Sequence, residues 1–307
     1  MDYLFLVVAL TLIVVGAMLL TDGSVALARR AHIPEFIVGL TVVAVGTSMP
    51  EMAVSMISAV EGYGDMAIGN VVGSNIANTL LILGVCAIFS PILFTKSNIR
   101  RDVPLNLGIS ILLLLVAATS ATINRIEGVV LLLIYVAMMF FSIRNDRKAM
   151  EESEEATEVM PAWRIVVWII AGLAGLIYGG DIFVDAATNI ATAWGVSEAV
   201  IAISLVAVGT SLPELAASLA SIFKGSPSIA LGNIIGSNIA NILLILGACS
   251  TVTPLAMNGV SMTDIYVVVA TAVMLLLSAL FIGDKRITRF EGLLFLIVYI
   301  VYIYTLV

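Results

Sequence analysis

The sequence predicts an all-α membrane protein of ten transmembrane helices, arranged as two inverted five-helix repeats with helices 2, 3, 7 and 8 broken around one polar site. Three observations predict it. The chain of 307 residues is 61% hydrophobic and 11% charged, with a mean hydropathy of +1.15; soluble domains run near about 45–50% apolar and 25% charged. Its basic residues gather in alternate loops. Its polar motifs return at a fixed offset of 163 residues.

A helix needs roughly 20 apolar residues to cross the hydrocarbon. The first such run is 3–28. It lacks the basic region and small-residue cleavage site of a leader, so it is expected to remain as a spanning helix. The second run, 35–60, and the third, 66–90, carry the polar motifs; 103–122 and 126–143 are plain apolar stretches. Residues 144–161 are the hydrophilic interruption, with Glu151, Glu152, Glu154, Glu155 and Glu158 in close succession. The segment is too short for a folded domain and reads as a solvated linker. Five more runs follow at 162–190, 198–223, 228–253, 262–282 and 290–306. The expected organisation is a first repeat over 1–143, a linker over 144–161 and a second repeat over 162–307.

Lys and Arg set the orientation. Alternate loops hold Arg29 and Arg30; Lys96, Arg100 and Arg101; Arg144, Arg147, Lys148 and Arg164; Lys224; and Lys285, Arg286 and Arg289. The opposite side holds Arg125 alone. The positive-inside rule places the basic side in the cytoplasm, so the linker is expected inside and both termini outside a cell membrane. A miscounted span would destroy the alternation.

Gly46-Thr47-Ser48-Met49-Pro50-Glu51 returns as Gly209-Thr210-Ser211-Leu212-Pro213-Glu214. GNVVGSNIANTLLILG, Gly69 to Gly84, returns as GNIIGSNIANILLILG, Gly232 to Gly247, with 13 of 16 positions identical. Asp22 pairs with Asp185, Ala44 with Ala207 and Pro91 with Pro254. Five spans per half means that the second half enters from the opposite face, so the repeats are inverted. Transporters built this way place their site at the midplane between the repeats.

The motifs point to a hard cation. Glu51 and Glu214 lie deep in spans that contain no Lys or Arg, and a carboxylate at such depth is a functional residue by default. Ala44, Thr47, Ser48 and Glu51 stand at i, i+3, i+4 and i+7 on one helix face, as do Ala207, Thr210, Ser211 and Glu214. Pro50 and Pro213 cannot donate to the carbonyls of Gly46 and Gly209, so each motif breaks a helix beside two hydroxyls and a carboxylate. Ca²⁺ and Na⁺ favour such oxygens. Asn70, Ser74 and Asn78, mirrored by Asn233, Ser237 and Asn241, share a face at i, i+4 and i+8. Their amides are available to donate to the glutamates or to coordinate ions. Asp22, Asp181 and Asp185 fall toward helix ends, where capping or snorkelling satisfies a carboxylate.

Other classes are excluded or weakened. A net charge of −7 argues against a nucleic-acid partner. Cys86 and Cys249 lack metal-ligand spacing, His32 is the single histidine, and soft metals want such ligands. No Ser/His or Cys/His pair suggests an enzyme, and no cofactor is expected. A channel fits the paired-repeat architecture poorly.

The two GTS-x-PE motifs, each followed by a GNxxGSNIAN helix, resemble the alpha repeats of the sodium/calcium exchanger family, of the calcium/cation antiporter superfamily. The resemblance covers the whole chain. It implies exchange of Na⁺ for Ca²⁺ by alternating access, with four clustered ion sites at the junction of spans 2, 3, 7 and 8. The implied ligands are Glu51 and Glu214 by carboxylate, and Thr47, Thr210, Ser48, Ser211, Ser74 and Ser237 by hydroxyl or backbone oxygen. Ala44 and Ala207 would give carbonyls, and Asn78 and Asn241 amides. It further implies that spans 1 and 6 slide as the gate. Potassium-dependent relatives carry Asp at the position of Asn241, which argues against potassium co-transport. The alternative is a proton/calcium antiporter using the same glutamates as proton carriers. A monomer in the bilayer is the expected working unit.

Overall fold

The computed structural model describes residues 1–119, 122–150, 160–194, 207–257, 261–280 and 285–306. The helices are α1 (Asp2–Ala31), α2a (Glu35–Thr47), α2b (Met49–Val60), α3 (Gly64–Phe89), α4 (Asn98–Thr119) and α5 (Arg125–Met150) in the first half. The second half holds α6 (Ala162–Ala193), α7a (Ala207–Thr210), α7b (Leu212–Phe223), α8 (Pro227–Val252), α9 (Met262–Leu280) and α10 (Arg289–Leu306). Eight of these are long and apolar enough to span a membrane, and the bent pair α2a–α2b makes a ninth. The expected seventh span, 198–223, enters the described residues only at Ala207.

Two expected boundaries move. The fifth helix runs on to Met150 instead of ending at 143, so the first part of the expected linker is helical. The fourth helix starts at Asn98, where a π-helical turn over Asn98–Asp102 precedes the apolar run. Hydrophobicity marks where a helix enters the hydrocarbon; the backbone bonds continue until a cap or a breaker stops them.

The breaks differ in kind. Between α2a and α2b the axis bends by 46° at Ser48, whose φ of −82° and ψ of 10° leave the helical region. Ser211 takes the same conformation, φ −91° and ψ 4°, before α7b. In α3 and α8 the helix runs on but changes register, through π-helical stretches at Ala77–Ile82 and Asn241–Ile245.

Two short ladders verify the inversion. Ile92–Leu93, β1, pairs antiparallel with Arg286–Ile287, β4. Thr122–Ile123, β2, pairs with Leu255–Ala256, β3. Each ladder joins loops that the alternation of spans puts on one face. The offset of 163 turns β1 into β3, and an offset one residue longer turns β2 into β4, so the pseudo-two-fold operation exchanges the two faces.

Helices α3 and α8 form the centre, with 78% and 94% of their apolar windows buried, against 17–39% for the other spans. Isoleucine and leucine side chains such as Ile68, Ile76, Ile234 and Leu246 fill the space around them. Helix α2a crosses α8 closely: a Cβ at Gly232 would collide with the Phe36 carbonyl oxygen. Helices α1 and α6 lie together at the periphery. They contain 30 and 32 residues, so each is about 45 Å long against roughly 30 Å of hydrocarbon and must tilt or protrude. A Cβ at Gly16 would stand 2.8 Å from the Gly172 carbonyl oxygen. The pair therefore meets backbone to backbone, the small-residue packing that membrane helices use in place of a hydrophobic driving force.

Candidate cation site

The two breaks face each other across α3 and α8, and each hands its carboxylate to the opposite repeat. The Ser48 hydroxyl donates to Glu214 Oε1 at 2.9 Å, and the Ser211 hydroxyl donates to Glu51 Oε1 at 3.3 Å. Both carboxylates are 1% exposed. Among the described residues neither has an ion-pair partner. The hydroxyls of Ser48 and Ser237 lie 3.1 Å apart, and the Thr47 hydroxyl donates to Asn233 Oδ1 at 3.2 Å. Residues from α2, α7b and α8 thus meet as the sequence pattern expects.

Proline explains how the glutamates get there. Pro50 and Pro213 occupy the first turn of α2b and α7b, where a missing N–H costs nothing. Each glutamate follows in the same first turn. The break frees less backbone than the sequence suggests. N–H groups at the Ser48 cap return to the carbonyls of Ala44 and Gly46, because the last turn tightens to re-bond its orphans.

The amides divide into two roles. Asn70 Nδ2 donates to the Glu51 carbonyl oxygen at 3.3 Å and to Ser55 Oγ at 2.9 Å. Asn233 Nδ2 repeats this with the Glu214 carbonyl at 3.4 Å and Ser218 Oγ at 3.0 Å. These amides hold the glutamate backbones and do not touch the carboxylates. Ser74 and Asn78 are buried on α3, and Asn241 on α8. Ala44 is buried and its carbonyl accepts from the Ser48 N–H at 3.0 Å. Thr210 is half-buried; Ala207 opens α7a.

Sequence reasoning passed over Asn75 and Asn238. Asn75 Nδ2 donates to the Asn238 carbonyl at 3.2 Å, Asn238 Nδ2 to Thr79 Oγ1 at 2.9 Å, and Asn241 Nδ2 to Asn75 Oδ1 at 3.0 Å. These bonds stitch α3 to α8. Both copies of GSNIAN carry their signal, an asparagine next to the i, i+4 polar face.

What remains unbonded defines the chemistry. Nine buried side-chain polar atoms lack a partner among the described residues. Five of them sit on α2b, α3, α7b and α8: Glu51 Oε2, Glu214 Oε2, Asn78 Oδ1, Asn238 Oδ1 and Asn241 Oδ1. All five are oxygens, and with the carboxylates ionised all five accept and none donates. Buried acceptors without donors are expensive, and a hard cation is the group that satisfies several of them together. No group of three or more His, Cys, Asp or Glu gathers among the described residues, so two carboxylates with neutral oxygens are the available donor set.

A cavity of about 710 Å³ leads to one side of this site, lined by Pro50, Ala53 and Val54 on α2b, Thr210 and Pro213 at the second break, and Gly180, Asp181, Val184 and Asp185 on α6. Asp181 and Asp185 therefore line this cavity from within α6, which runs on to Ala193, and helix-end capping does not describe them.

The chain resembles known proteins over nearly its whole length. The family described as sodium/calcium exchanger protein matches residues 1–144 and 164–307. The putative antiporter CaxA of Alkalimonas amylolytica is 38% identical over 312 residues, covering 99% of this chain and 98% of that protein. The sodium/calcium exchanger MaX1 of Methanosarcina acetivorans is 30% identical over 349 residues, covering 99% and 98%. The solved structure of the sodium-calcium exchanger NCX_Mj, soaked with zero Na⁺ and Ca²⁺, superimposes with a TM-score of 0.88 at 33% identity, covering 100% of this chain and 99% of that one.

Proposed function

The chain belongs to the sodium/calcium exchanger family and is a membrane cation antiporter, not an enzyme; from that premise we propose that it exchanges Na⁺ for Ca²⁺ by alternating access, with Glu51 and Glu214 as the central carboxylate ligands. The observation that carries the site assignment is the set of unpaired buried oxygens on Glu51, Glu214, Asn78 and Asn241. Thr47, Thr210, Ser48, Ser211, Ser74 and Ser237 complete the cage with Ala44 and Ala207 carbonyls. The bilayer is the working environment, with the 144–161 linker on the cytoplasmic side, the termini outside and the monomer as the unit.

The coupling follows from charge. Two carboxylates give −2, which one Ca²⁺ or two Na⁺ neutralise. A neutral loaded site closes over with little desolvation cost, whereas an empty site retains two uncompensated buried charges and resists closure. Each ion therefore licenses the conformational change only by displacing the other, and the fluxes are linked through one cage. A third Na⁺ would leave the sodium-loaded state at +1 and make the exchange electrogenic.

Protons would also neutralise the pair, and the lack of a cationic partner for the carboxylates among the described residues gives that reading its footing. One experiment separates the two. Proteoliposomes loaded with Na⁺ take up ⁴⁵Ca²⁺ against choline outside, and a pH gradient alone drives none. Uptake that follows the proton gradient and ignores Na⁺ would replace the sodium reading with the proton one.

A further inference from the structure

The inverted repeat lets each mouth of the transporter be read against the other, residue by residue at the offset of 163. The cavity beside α6 has its counterpart beside α1. Val14, Ala17, Met18, Leu212 and Ala216 there correspond to Ile177, Gly180, Asp181, Met49 and Ala53 of the larger cavity. The counterpart is smaller, about 370 Å³, and does not include Thr47 or Asp22. Val54, which lines the α6 side, is 42% exposed; its repeat mate Ala217 is 1% exposed. The α6 side is the wider of the two at this depth, and on the α1 side Asp22 and Lys224 line a separate outer cavity of about 440 Å³.

Side chains bridge α1 and α7b on that side. Lys224, at the end of α7b, forms an ion pair with Asp22 of α1 and donates to the Met18 carbonyl oxygen at 3.0 Å. One residue earlier on α1, the Thr21 and Ser221 hydroxyls lie 3.3 Å apart. The repeat mates of these residues cannot do the same. Thr21 becomes Val184 and Ser221 becomes Ser58; Asp22 becomes Asp185, Lys224 becomes Glu61 and Met18 becomes Asp181. A hydroxyl contact turns into valine against serine. In place of the ion pair, the equivalent positions all carry carboxylates.

We propose that Lys224 is a positioning residue for the exchange: with Asp22, Thr21 and Ser221 it ties α1 to α7b and locks the linker face shut, and the repeat-related residues of the opposite face supply no counterpart. The two mouths of this antiporter are then unequal although its ion cage is nearly symmetric. The α6 mouth presents Asp181 and Asp185 to arriving cations, while at the α1 mouth the equivalent carboxylate is spent on Lys224. The pair is partly exposed, so its effect is a shift in the balance of two states, not a block. An exposed ion pair of ordinary strength shifts such a balance by about fivefold or less.

The lock rests on the alternating-access reading, and its test needs no transport. In a protein with Cys86 and Cys249 replaced, the mates Val54→Cys and Ala217→Cys report the two mouths through their rates of maleimide labelling. Lys224→Gln is expected to raise Ala217→Cys labelling severalfold and to lower that of Val54→Cys. Asp22→Asn should do the same, and the exchange Asp22→Lys with Lys224→Asp should return both rates toward the parent. Unchanged labelling in Lys224→Gln and Asp22→Asn overturns the proposal. So does a charge exchange that labels like the single neutralisations. Calcium flux through the unmodified protein tests alternating-access exchange separately, so the two ideas fail by different readings.

Discussion

Ser48 of the first repeat donates its hydroxyl to Glu214 of the second at 2.9 Å, and the reciprocal bond from Ser211 to Glu51 is 3.3 Å long. Each glutamate is therefore held by the opposite repeat, and any motion between the halves acts on both carboxylates directly. The carboxylate oxygens left over, Glu51 Oε2 and Glu214 Oε2, have no donor among the described residues. A site wired this way feels its occupancy in the same bonds that join its two halves.

Replacing either glutamate should end transport. Glu51→Gln and Glu214→Gln keep the side-chain shape and remove one of the two charges that bind Ca²⁺. Each should reduce Na⁺-driven ⁴⁵Ca²⁺ uptake to the level of empty liposomes, while size-exclusion profiles in detergent stay like the parent's. Parental uptake by both variants would sink the site assignment.

The serines should matter less, and unequally. A hydrogen bond to a charged group is worth about 1.5–3 kcal/mol, roughly tenfold or more in affinity. The Ser48 bond is the shorter of the two, and Ser48 also meets Ser237. Ser48→Ala should raise the Ca²⁺ concentration for half-maximal uptake by about tenfold, and Ser211→Ala should raise it less. A reversed order, read from uptake against Ca²⁺ concentration, would mean that these contacts do not survive in the loaded protein.

Much of this was legible in the sequence, for physical reasons that can be named. Lipid demands long apolar runs, so the spans stand out by composition. Inversion follows from an odd span count in each half, and the β1–β4 and β2–β3 ladders bear it out. Glu51 and Glu214 stand out because buried charge is costly and is kept only for use. What stayed hidden depends on side-chain direction across helices. Nothing in the spacing of Asn75 and Asn238 says that they bridge α3 to α8, since a polar residue beside a polar face reads the same whether it points to a ligand or to a neighbour. Asp22 looked like its mate Asp185, and only the position of Lys224 separates them. Helix ends were misplaced where the helix outruns the hydrocarbon, as at Met150.

The basic residues predict sidedness. Ser97 is exposed between Lys96 and the start of α4, which carries Arg100 and Arg101, and Tyr63 is exposed in a loop on the opposite side. In a protein without Cys86 and Cys249, Tyr63→Cys should react with an impermeant maleimide added to intact cells, and Ser97→Cys should react only after the membrane is opened. The reverse pattern would invert the orientation.

Asn241 predicts the ion requirement. Its Nδ2 donates to Asn75 Oδ1 at 3.0 Å, and its own Oδ1 has no partner. The paired position, Asn78, is also a neutral amide with an unpartnered oxygen. The central charge therefore stops at −2 from Glu51 and Glu214. A K⁺ carried with Ca²⁺ would bring +3 into that cage, and uncompensated charge is expensive where water is excluded. Na⁺-driven Ca²⁺ uptake should accordingly persist when choline replaces K⁺ on both sides; an absolute K⁺ requirement would contradict this. Asn241→Asp tests the same position from the other direction. An ionised aspartate there cannot donate to Asn75 Oδ1 and sets oxygen against oxygen, besides adding a third negative charge. A protonated one donates its O–H and restores both the bond and the charge of the parent. Uptake by the variant should thus approach the parent's at low pH and diverge from it as pH rises. A ratio of variant to parent uptake that stays flat from acid to alkaline pH would show that this side chain lies outside the ion cage.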